Sequence, residues 1–360
     1  MNLTPEERKK LSSIFQKRGA EIKDVHQNWK RSTNSDVLIV DGTNTFIRCW
    51  SANPAMDDNG NHTGGVVGFL KSVGYAINLL APTRCIIIFD GIGGSLKRRQ
   101  LFPDYKAKRK GKIRLNRAYE EMSTVTSEEE SCTKQYLRLT HYLQTLPVNM
   151  LSIYHVEADD VIAFLATEYF KTSRKVFIMS SDKDFLQLCT DNINVYSPTK
   201  KRIYSTPEVI DEYSIHPNNY VLYRAMDGDD SDNINGIDGA GPKTIVRHFP
   251  WLNEPAVHTI DEVISHSVNL RNKYKVCDRI VEGRTLLERN MALMQLRDTA
   301  LTTTAQLKCI ELMDTKNIPK LDRNAFFSLV RDDMIDSNLP NHIDWVNKVF
   351  DPLDRVTRTE

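Results

Sequence analysis

The chain has 360 residues, of which 40% are hydrophobic and 26% charged, with a formal net charge of +1. That length exceeds one typical domain and suits one large core with a smaller appendage, and the composition is that of an ordinary globular protein, which excludes a fibrous or solvated coil. A charge balance so near zero neither demands nor excludes a polyanionic partner, so local clustering has to decide.

The N-terminal MNLTPEERKK lacks the apolar core of a signal peptide, and no apolar run approaches membrane-spanning length. Residues 5–30 read as a helix packed on the main domain, with Leu11, Ile14, Phe15, Ile22, Val25 and Trp29 at helical spacing and a break at Asn34-Ser35. DVLIVDG (36–42) and RCIIIFDG (84–91) are short β-branched runs that each end on Asp-Gly. KVFIMSSD (175–182) repeats the pattern, and INVYSP (193–198) follows after a short helix. Helical stretches near 66–80 and 158–171 make these strands βαβ crossovers of a buried parallel sheet. The expected fold class is α/β, a central, mostly parallel, twisted sheet flanked by helices.

Between the second and third of these strands, SLKRRQLFPDYKAKRKGKIR (95–114) sets nine cations against the single acid Asp104, and Glu128 to Glu130 follow as an acidic run. A solvated face and a phosphate-binding segment are both open for it. Phe102 and Tyr105 fit either stacking on a base or anchoring the segment to the core. From about 207 onward the chain reads as helices and loops without a convincing strand. The six cysteines, Cys49, Cys85, Cys132, Cys189, Cys277 and Cys309, show no CxxC or Cys/His ligand spacing. Buried reduced thiols in a reducing cytoplasm are the expectation.

In parallel sheets ligands collect at the carboxyl ends of the strands, which is where the acids fall. Asp41 and Asp90 end two strands, Glu157, Asp159 and Asp160 lie in YHVEADDVIAF, Asp182 and Asp184 in SSDKDF, and Asp229, Asp230 and Asp232 in GDDSDN. Each alone has a plain structural role: Asp41 and Asp90 as turn residues, Asp159, Asp160 and Asp182 as helix caps, Asp230 as a solvated loop acid. Taken jointly, so many converging carboxylates could not all stay ionised without cations, and hard divalent ions with oxygen ligands, Mg²⁺ or Mn²⁺, answer that need. Two such ions about 3.5–4 Å apart would clamp the attacking and leaving oxygens of a phosphodiester.

Directly after these acids comes GIDGAGPKT (236–244). Gly236, Gly239 and Gly241 permit tight turns with positive φ and let backbone N–H groups approach an anion. Lys243 and the start of the following helix add positive charge. A mere helix-to-helix turn is the alternative, and the spacing is not that of a nucleotide-binding P-loop. Cations for a phosphodiester and a turn for its backbone point to one nucleic-acid substrate.

VDGTN, FDG, EADD, SDKDFLQL, GDDSDN and GIDGAGPKT, in this order over roughly residues 36–300, closely resemble the 5′-nuclease superfamily, the flap endonucleases and 5′-to-3′ exonucleases. The resemblance is strongest to the stand-alone bacteriophage enzymes and to the N-terminal domain of bacterial DNA polymerase I. It implies that Asp41, Asp90, Glu157 and Asp159 or Asp160 hold one metal, and that Asp182, Asp184, Asp229 and Asp232 hold or orient a second. Glu157 and Asp159 would diverge on a regular helix, which puts Glu157 at its edge. RRQLFPDYKAKR looks like the family's helical arch, about 92–135, through which a single-stranded 5′ end passes. There Arg98, Lys106 and Arg109 match basic positions, with Lys106 or Arg98 stabilising charge on the scissile phosphate. Arg48, Arg99, Tyr105, Gly236, Gly239, Gly241, Lys243 and Thr244 are the expected DNA contacts, Tyr105 by stacking on a base. The glycine turn looks like the family's helix-three-turn-helix, which also binds K⁺ through its carbonyls.

The implied organisation is an N-terminal helical extension (1–35), an α/β catalytic core (36–205), a helix-three-turn-helix region (206–300) and a C-terminal helical extension (301–360). Phe46 stands where many relatives have tyrosine. Phe326 and Phe327 read as core, because Lys320 and Arg323 do not fit a sliding-clamp peptide. No polymerase domain follows, which suggests a stand-alone replication enzyme of phage origin. The expected activity is Mg²⁺-dependent hydrolysis at the 5′ ends of flaps, nicks or RNA primers on DNA. Branched or nicked DNA and RNA/DNA are the expected partners, with replication proteins such as a single-strand-binding protein or clamp, no membrane, and a monomeric state. A PIN-type ribonuclease and a non-catalytic DNA-binding protein are the alternatives.

Overall fold

The structure is a computed structural model that describes residues 36–107, 125–271, 273–299, 301–339 and 341–357. The N-terminal helix read at residues 5–30 and the basic cluster from Lys108 to Arg114, including Arg109, lie outside the described residues.

Six strands form one sheet: β1 (Asp36–Asp41), β2 (Arg84–Phe89), β3 (Asn149–Ser152), β4 (Lys175–Met179), β5 (Ile193–Ser197) and β6 (Arg202–Tyr204), in the order β3-β2-β1-β4-β5-β6. All pairings are parallel except β5 with β6. Val37, Leu38, Ile39 and Val40 of β1 are all fully buried, the pattern of a strand covered on both faces. Their side chains alternate, Val37 and Ile39 entering one core and Leu38 and Val40 the other, as a period of two requires.

Helices α1 (Gly42–Ala52), α2 (Gly64–Leu80) and α4 (Val125–Gln144) supply residues to the second of these cores, while α5 (Ala158–Phe164) supplies the first. A short helix α3 (Leu96–Leu101) lies in the basic segment ahead of Lys108. The helix read over 158–171 is α-helical to Phe164 and then widens to a π turn over Leu165–Tyr169. Strands β3 and β6 and a two-residue hairpin, β7 (Gly228–Asp229) with β8 (Ile234–Asn235), are additions to the sequence reading.

Beyond β6 the described elements other than that hairpin are helical, beginning with α6 (Thr206–Tyr213), α7 (Pro217–Asp227), α8 (Pro242–His248), α9 (Ile260–Asn269), α10 (Lys275–Glu282) and α11 (Arg284–Met294). Capping boxes fix two starts, Ser205 with Glu208 and Thr259 with Glu262, each satisfying backbone donors that the first helical turn leaves open. Three further helices, α12 (Thr303–Leu312), α13 (Arg323–Asp332) and α14 (His342–Thr357), return to the sheet. Ala305 and Cys309 of α12 enter the first core, whereas Phe326, Val330, Val346 and Phe350 enter the second. Phe326 is completely buried and Phe327 packs against the same cluster, so both serve the core. Trp345 lies against Gly74 of α2, where an added Cβ would come within 2.6 Å of the indole. All six cysteines are free thiols, five of them buried.

The chain runs outward from β1 through β2 to β3, then returns to the other side of β1 for β4 to β6. The order therefore reverses between β1 and β4, which opens a crevice at their carboxyl ends.

Candidate active site

Asp41 ends β1 at this crevice. Its Oδ1 accepts the Asn44 N–H at 3.0 Å, capping α1, and its Oδ2 accepts the Ser180 hydroxyl at 2.9 Å. Asp90, just past β2, is held differently. Its N–H donates to Thr43 Oγ1 and its Oδ1 accepts the Ala158 N–H at 2.8 Å. Asp90 thus caps α5 from outside, which leaves Glu157 at the helix's N-cap position in extended backbone. The carboxylates of Glu157 and Asp159 consequently leave the backbone in different directions. Asp182 caps the short 3-10 helix Lys183–Leu188, accepting the Asp184 N–H at 2.8 Å.

Cations arrive from the basic segment. Lys106 Nζ lies 2.8 Å from Glu157 Oε1, and Arg98 Nη1 bonds Glu157 Oε2 and reaches Asp160 at 3.1 Å. Arg98 Nε also donates to the Leu293 carbonyl at 2.9 Å, so this guanidinium is buried and fully engaged. Tyr105 is 3% exposed and packs with Val221, Ile234, Leu293 and Met294, its hydroxyl 3.1 Å from Asp232 Oδ2. The expectation that Tyr105 stacks on a base is corrected here: its ring is core and only its hydroxyl faces the acids. Lys106 follows with φ +59°, and its N–H donates to the Asp232 carbonyl at 2.9 Å. A lysine in left-handed backbone carries local strain of the kind found at functional sites.

Arg224, on α7, was not singled out from the sequence. Its guanidinium holds Asp184 at 2.7 Å and Asp229 at 2.6 Å, and donates to the Gly228 carbonyl at 2.9 Å. Asp184 and Asp229 are thereby paired and oriented, whereas Asp41, Asp159 and Asp182 have no cation of that kind among the described residues. Nothing local in the sequence links Arg224 to Asp184, which lies 40 positions away.

Acidity follows this partition except at Asp184, which burial raises above the ordinary carboxylate value, with Asp229 and Asp232, in spite of Arg224. Burial, with the charges of Asp90 and Asp182, pushes Asp41 up to about 7 against hydrogen bonds from Asn44 and Ser180. Burial and the neighbouring Asp184, Asp232 and Asp229 likewise push Asp182 up to about 7. Asp159 is raised well above the usual carboxylate range by burial, then by Asp182 and Asp41. Glu157 goes the other way: against burial, Arg98 and Lys106 hold it below the ordinary value. Asp229 is also lowered, against burial, by the Ser231 hydrogen bond and Arg224.

Among the described residues no His, Cys, Asp or Glu group forms a ready-made metal cage. Asp159, Asp182, Asp184 and Asp232 nevertheless line one small crevice with Arg98 and Tyr105, and Asp182 and Asp229 continue into a neighbouring polar cleft with Asp227 and Asp230. All the donors are oxygens and several repel one another, which suits a hard divalent ion that keeps most of its waters and needs only one or two carboxylates.

Beside these acids, the β7–β8 hairpin leads into the glycine turn. Gly236 packs so closely on the Asp227 carbonyl that a Cβ there would overlap it. Of the three glycines expected to allow positive φ, Gly239 alone adopts it, at +83°; Gly241 is extended, with φ −72°, and has open space beside it. Lys243 is exposed and Thr244 half-buried at the start of α8. Arg48 donates to Ser72 Oγ at 3.0 Å from α1, and Arg99 is half-buried on α3.

A switch-point crevice rimmed with carboxylates and approached by cations from a separate segment defines a hydrolase of the nuclease class, built on an α/β sheet. Residues 36–214 match the family model of the 5′-3′ exonuclease N-terminal resolvase-like domain. A 5′-3′ exonuclease of Aquifex aeolicus is 31% identical over 212 residues, covering 59% of this chain and 68% of that relative. The DNA polymerase I of Mycobacterium tuberculosis is 30% identical over 312 residues, which span 84% of this chain and 32% of the polymerase. The chain belongs to the 5′-3′ exonuclease family. Its fold is shared by the bacteriophage T5 D15 flap endonuclease in complex with DNA and metal ions, at 21% identity and a TM-score of 0.57 over 83% of this chain and 98% of that one. Human GEN1 in complex with Holliday junction DNA shares it at 12% identity and a TM-score of 0.52, over 90% and 74%. No helix among the described residues is long and apolar enough to cross a membrane.

Proposed function

We propose that the chain is a Mg²⁺-dependent 5′ nuclease that hydrolyses phosphodiesters near the 5′ ends of flaps, nicks and RNA primers on DNA. The observation that carries this reading is the divided acid cluster: Asp41, Asp159 and Asp182 are raised by burial and mutual repulsion, while Arg224 takes the charge of Asp184 and Asp229. Asp41, Asp90, Asp159 and Asp182 would hold the ions, with Glu157 and Asp232 beside them. Bound divalent cations supply an activated water and neutralise charge at the phosphate; Mn²⁺ substitutes for Mg²⁺ because both favour oxygen ligands.

The chain's own residues do the rest. Lys106, its ammonium held by Glu157 and its backbone N–H by the Asp232 carbonyl, turns toward the developing charge on the scissile phosphate when a substrate enters. Arg98, fixed between Glu157, Asp160 and the Leu293 carbonyl, positions Glu157 without leaving its pocket. Tyr105 orients Asp232. The turn at Gly236–Gly241, with Lys243 and Thr244, approaches the duplex backbone, and a potassium ion on its carbonyls belongs to the same reading, checked by replacing K⁺ with tetramethylammonium. Both faces of the sheet are covered by the chain's own helices, which supports a monomer as the working unit.

The test is cleavage of a 5′-labelled flap duplex with and without Mg²⁺, by the wild type and by the Asp182→Ala, Asp232→Ala double variant. Metal-dependent cutting near the junction, lost in the variant while binding survives, is the expected result. Binding without cutting under any divalent ion would overturn the reading, and cutting of single-stranded RNA alone would replace it with a PIN-type ribonuclease.

A further inference from the structure

We propose that the turn carrying Tyr154 and His155, with the cleft beside it, is a stacking platform for single-stranded nucleic acid that continues from the carboxylate crevice. The proposal rests on the nuclease reading and concerns a surface which that reading does not use.

The turn joins β3 to Glu157. Tyr154 is 65% exposed, and Ile92, on the loop after β2 that this turn meets, is 77% exposed. Exposed apolar side chains on a loop are unremarkable singly, but these are held with unusual firmness. The His155 N–H donates to the Ile92 carbonyl at 3.0 Å, and the Gly91 N–H donates to the Val156 carbonyl at 2.9 Å. A Cβ on Gly93, whose φ is +73°, would stand 2.6 Å from His155 Nδ1, so the glycine turn after β2 is fitted directly under the histidine ring. His155 itself has φ +60°, a conformation that costs a non-glycine residue energy and persists where the surroundings impose it. The result is that Tyr154 is presented to solvent on a rigid, strained turn, its ring centroid 3.9 Å from that of His155.

The adjoining cleft, about 500 Å³, is lined by Lys97, Lys308, Thr302, Thr304 and Asp160. Asp160 is the carboxylate that Arg98 holds at the active site, so the cleft abuts the crevice and its one acid is already paired. Lys308 is shared with Glu311 at 3.0 Å on an exposed helix face, where screening leaves the pair weak. Cations and hydroxyls around an exposed aromatic face are the chemistry of phosphates flanking stacked bases, and stacking tolerates any base sequence. A protein partner would match the apolar residues but would have no use for the abutting nuclease crevice.

The test is fluorescence anisotropy in EDTA on a labelled duplex with a short 5′ thymidine flap and on the same duplex without it. Tyr154→Ala is expected to weaken the flapped duplex about tenfold and leave the flapless one unchanged, with Tyr154→Phe resembling the wild type. His155→Gly, which accepts the left-handed backbone at no steric cost, should lose the same preference while keeping its melting temperature. If the wild type prefers the flap and both Tyr154→Ala and His155→Gly keep that preference, the platform is overturned and the nuclease reading stands. If the wild type shows no flap preference and no metal-dependent cutting, the nuclease reading fails and the platform falls with it.

Discussion

Lys106 Nζ stands 2.8 Å from Glu157 Oε1, and Arg98 occupies the other oxygen of the same carboxylate. One acid is therefore the meeting point of two cations that belong to different roles. Arg98 is buried and tied to a backbone carbonyl, while Lys106 is half-buried on a strained residue. Of the two, Lys106 is the cation free to change partner. Lys106→Met is expected to lower flap cleavage about 10²–10³-fold, the range for losing one preorganised charge at a transition state, with junction binding in EDTA nearly unchanged. Single-turnover rates and anisotropy on the same substrate separate the two quantities.

The raised acids give a pH dependence of opposite sign to the usual one. Asp41 and Asp182 titrate near 7 in the folded chain against 3.8 as ordinary aspartates. Between those limits the folded state binds more protons than the unfolded state, so stability falls as pH rises from about 4 to 7. Without divalent ions the melting temperature should therefore drop from pH 5 to pH 8, and Mg²⁺ should restore it most at the high end. Asp182→Asn should flatten the metal-free profile and shrink the gain from Mg²⁺. Scanning calorimetry in EDTA and in Mg²⁺ reads both, and a melting temperature that climbs with pH in EDTA would contradict this partition of charge.

Arg224 makes the reverse case, a cation whose loss strands two acids. Arg224→Met leaves Asp184 and Asp229 partly buried without a counter-charge, and breaking such a pair costs about 3–5 kcal/mol. Urea denaturation should show that loss at pH 8. Adding Asp184→Asn and Asp229→Asn to Arg224→Met should recover much of it, because the repulsion goes with the charges.

At the glycine turn the expected effect is on salt rather than on turnover. Lys243→Ala should weaken duplex binding equally across sequences and reduce the slope of log K against log salt by about 1, the signature of one lost phosphate contact. A slope that stays unchanged would remove Lys243 from the interface.

Much of this architecture is legible in the residues. Strands β1, β2, β4 and β5 are β-branched runs, two of them ending on or beside an aspartate and β4 followed by Asp182 three residues on, and the acids at their ends meet because a parallel sheet collects its carboxyl ends. β3 is not legible: NMLS is four residues long and opens on Asn149, whose side chain accepts from Arg84 instead of packing. β6 has only three residues and exists by pairing with β5. The partition of the acids was likewise hidden, since proximity of Arg224 to Asp184, or of Arg98 to Asp160, depends on α3 and α7 reaching the crevice. Tyr105 had two compatible roles in the sequence, and only the packing of Leu293 and Met294 against it decides between them.

The return of α13 and α14 to the sheet has a consequence for the order in which the protein is made. Leu38 and Val40 emerge from the ribosome early, yet the cluster they join is completed by Phe326, Val330, Val346 and Phe350. One face of the sheet is closed by Ala305 and Cys309 of α12, while the other must wait still longer, for a final layer nearly three hundred residues downstream of β1. Contacts so distant in sequence close slowly and leave apolar surface open meanwhile. The nascent chain should thus carry a half-built core with its α2 side exposed, a natural place for a chaperone to hold it until Trp345 settles on Gly74.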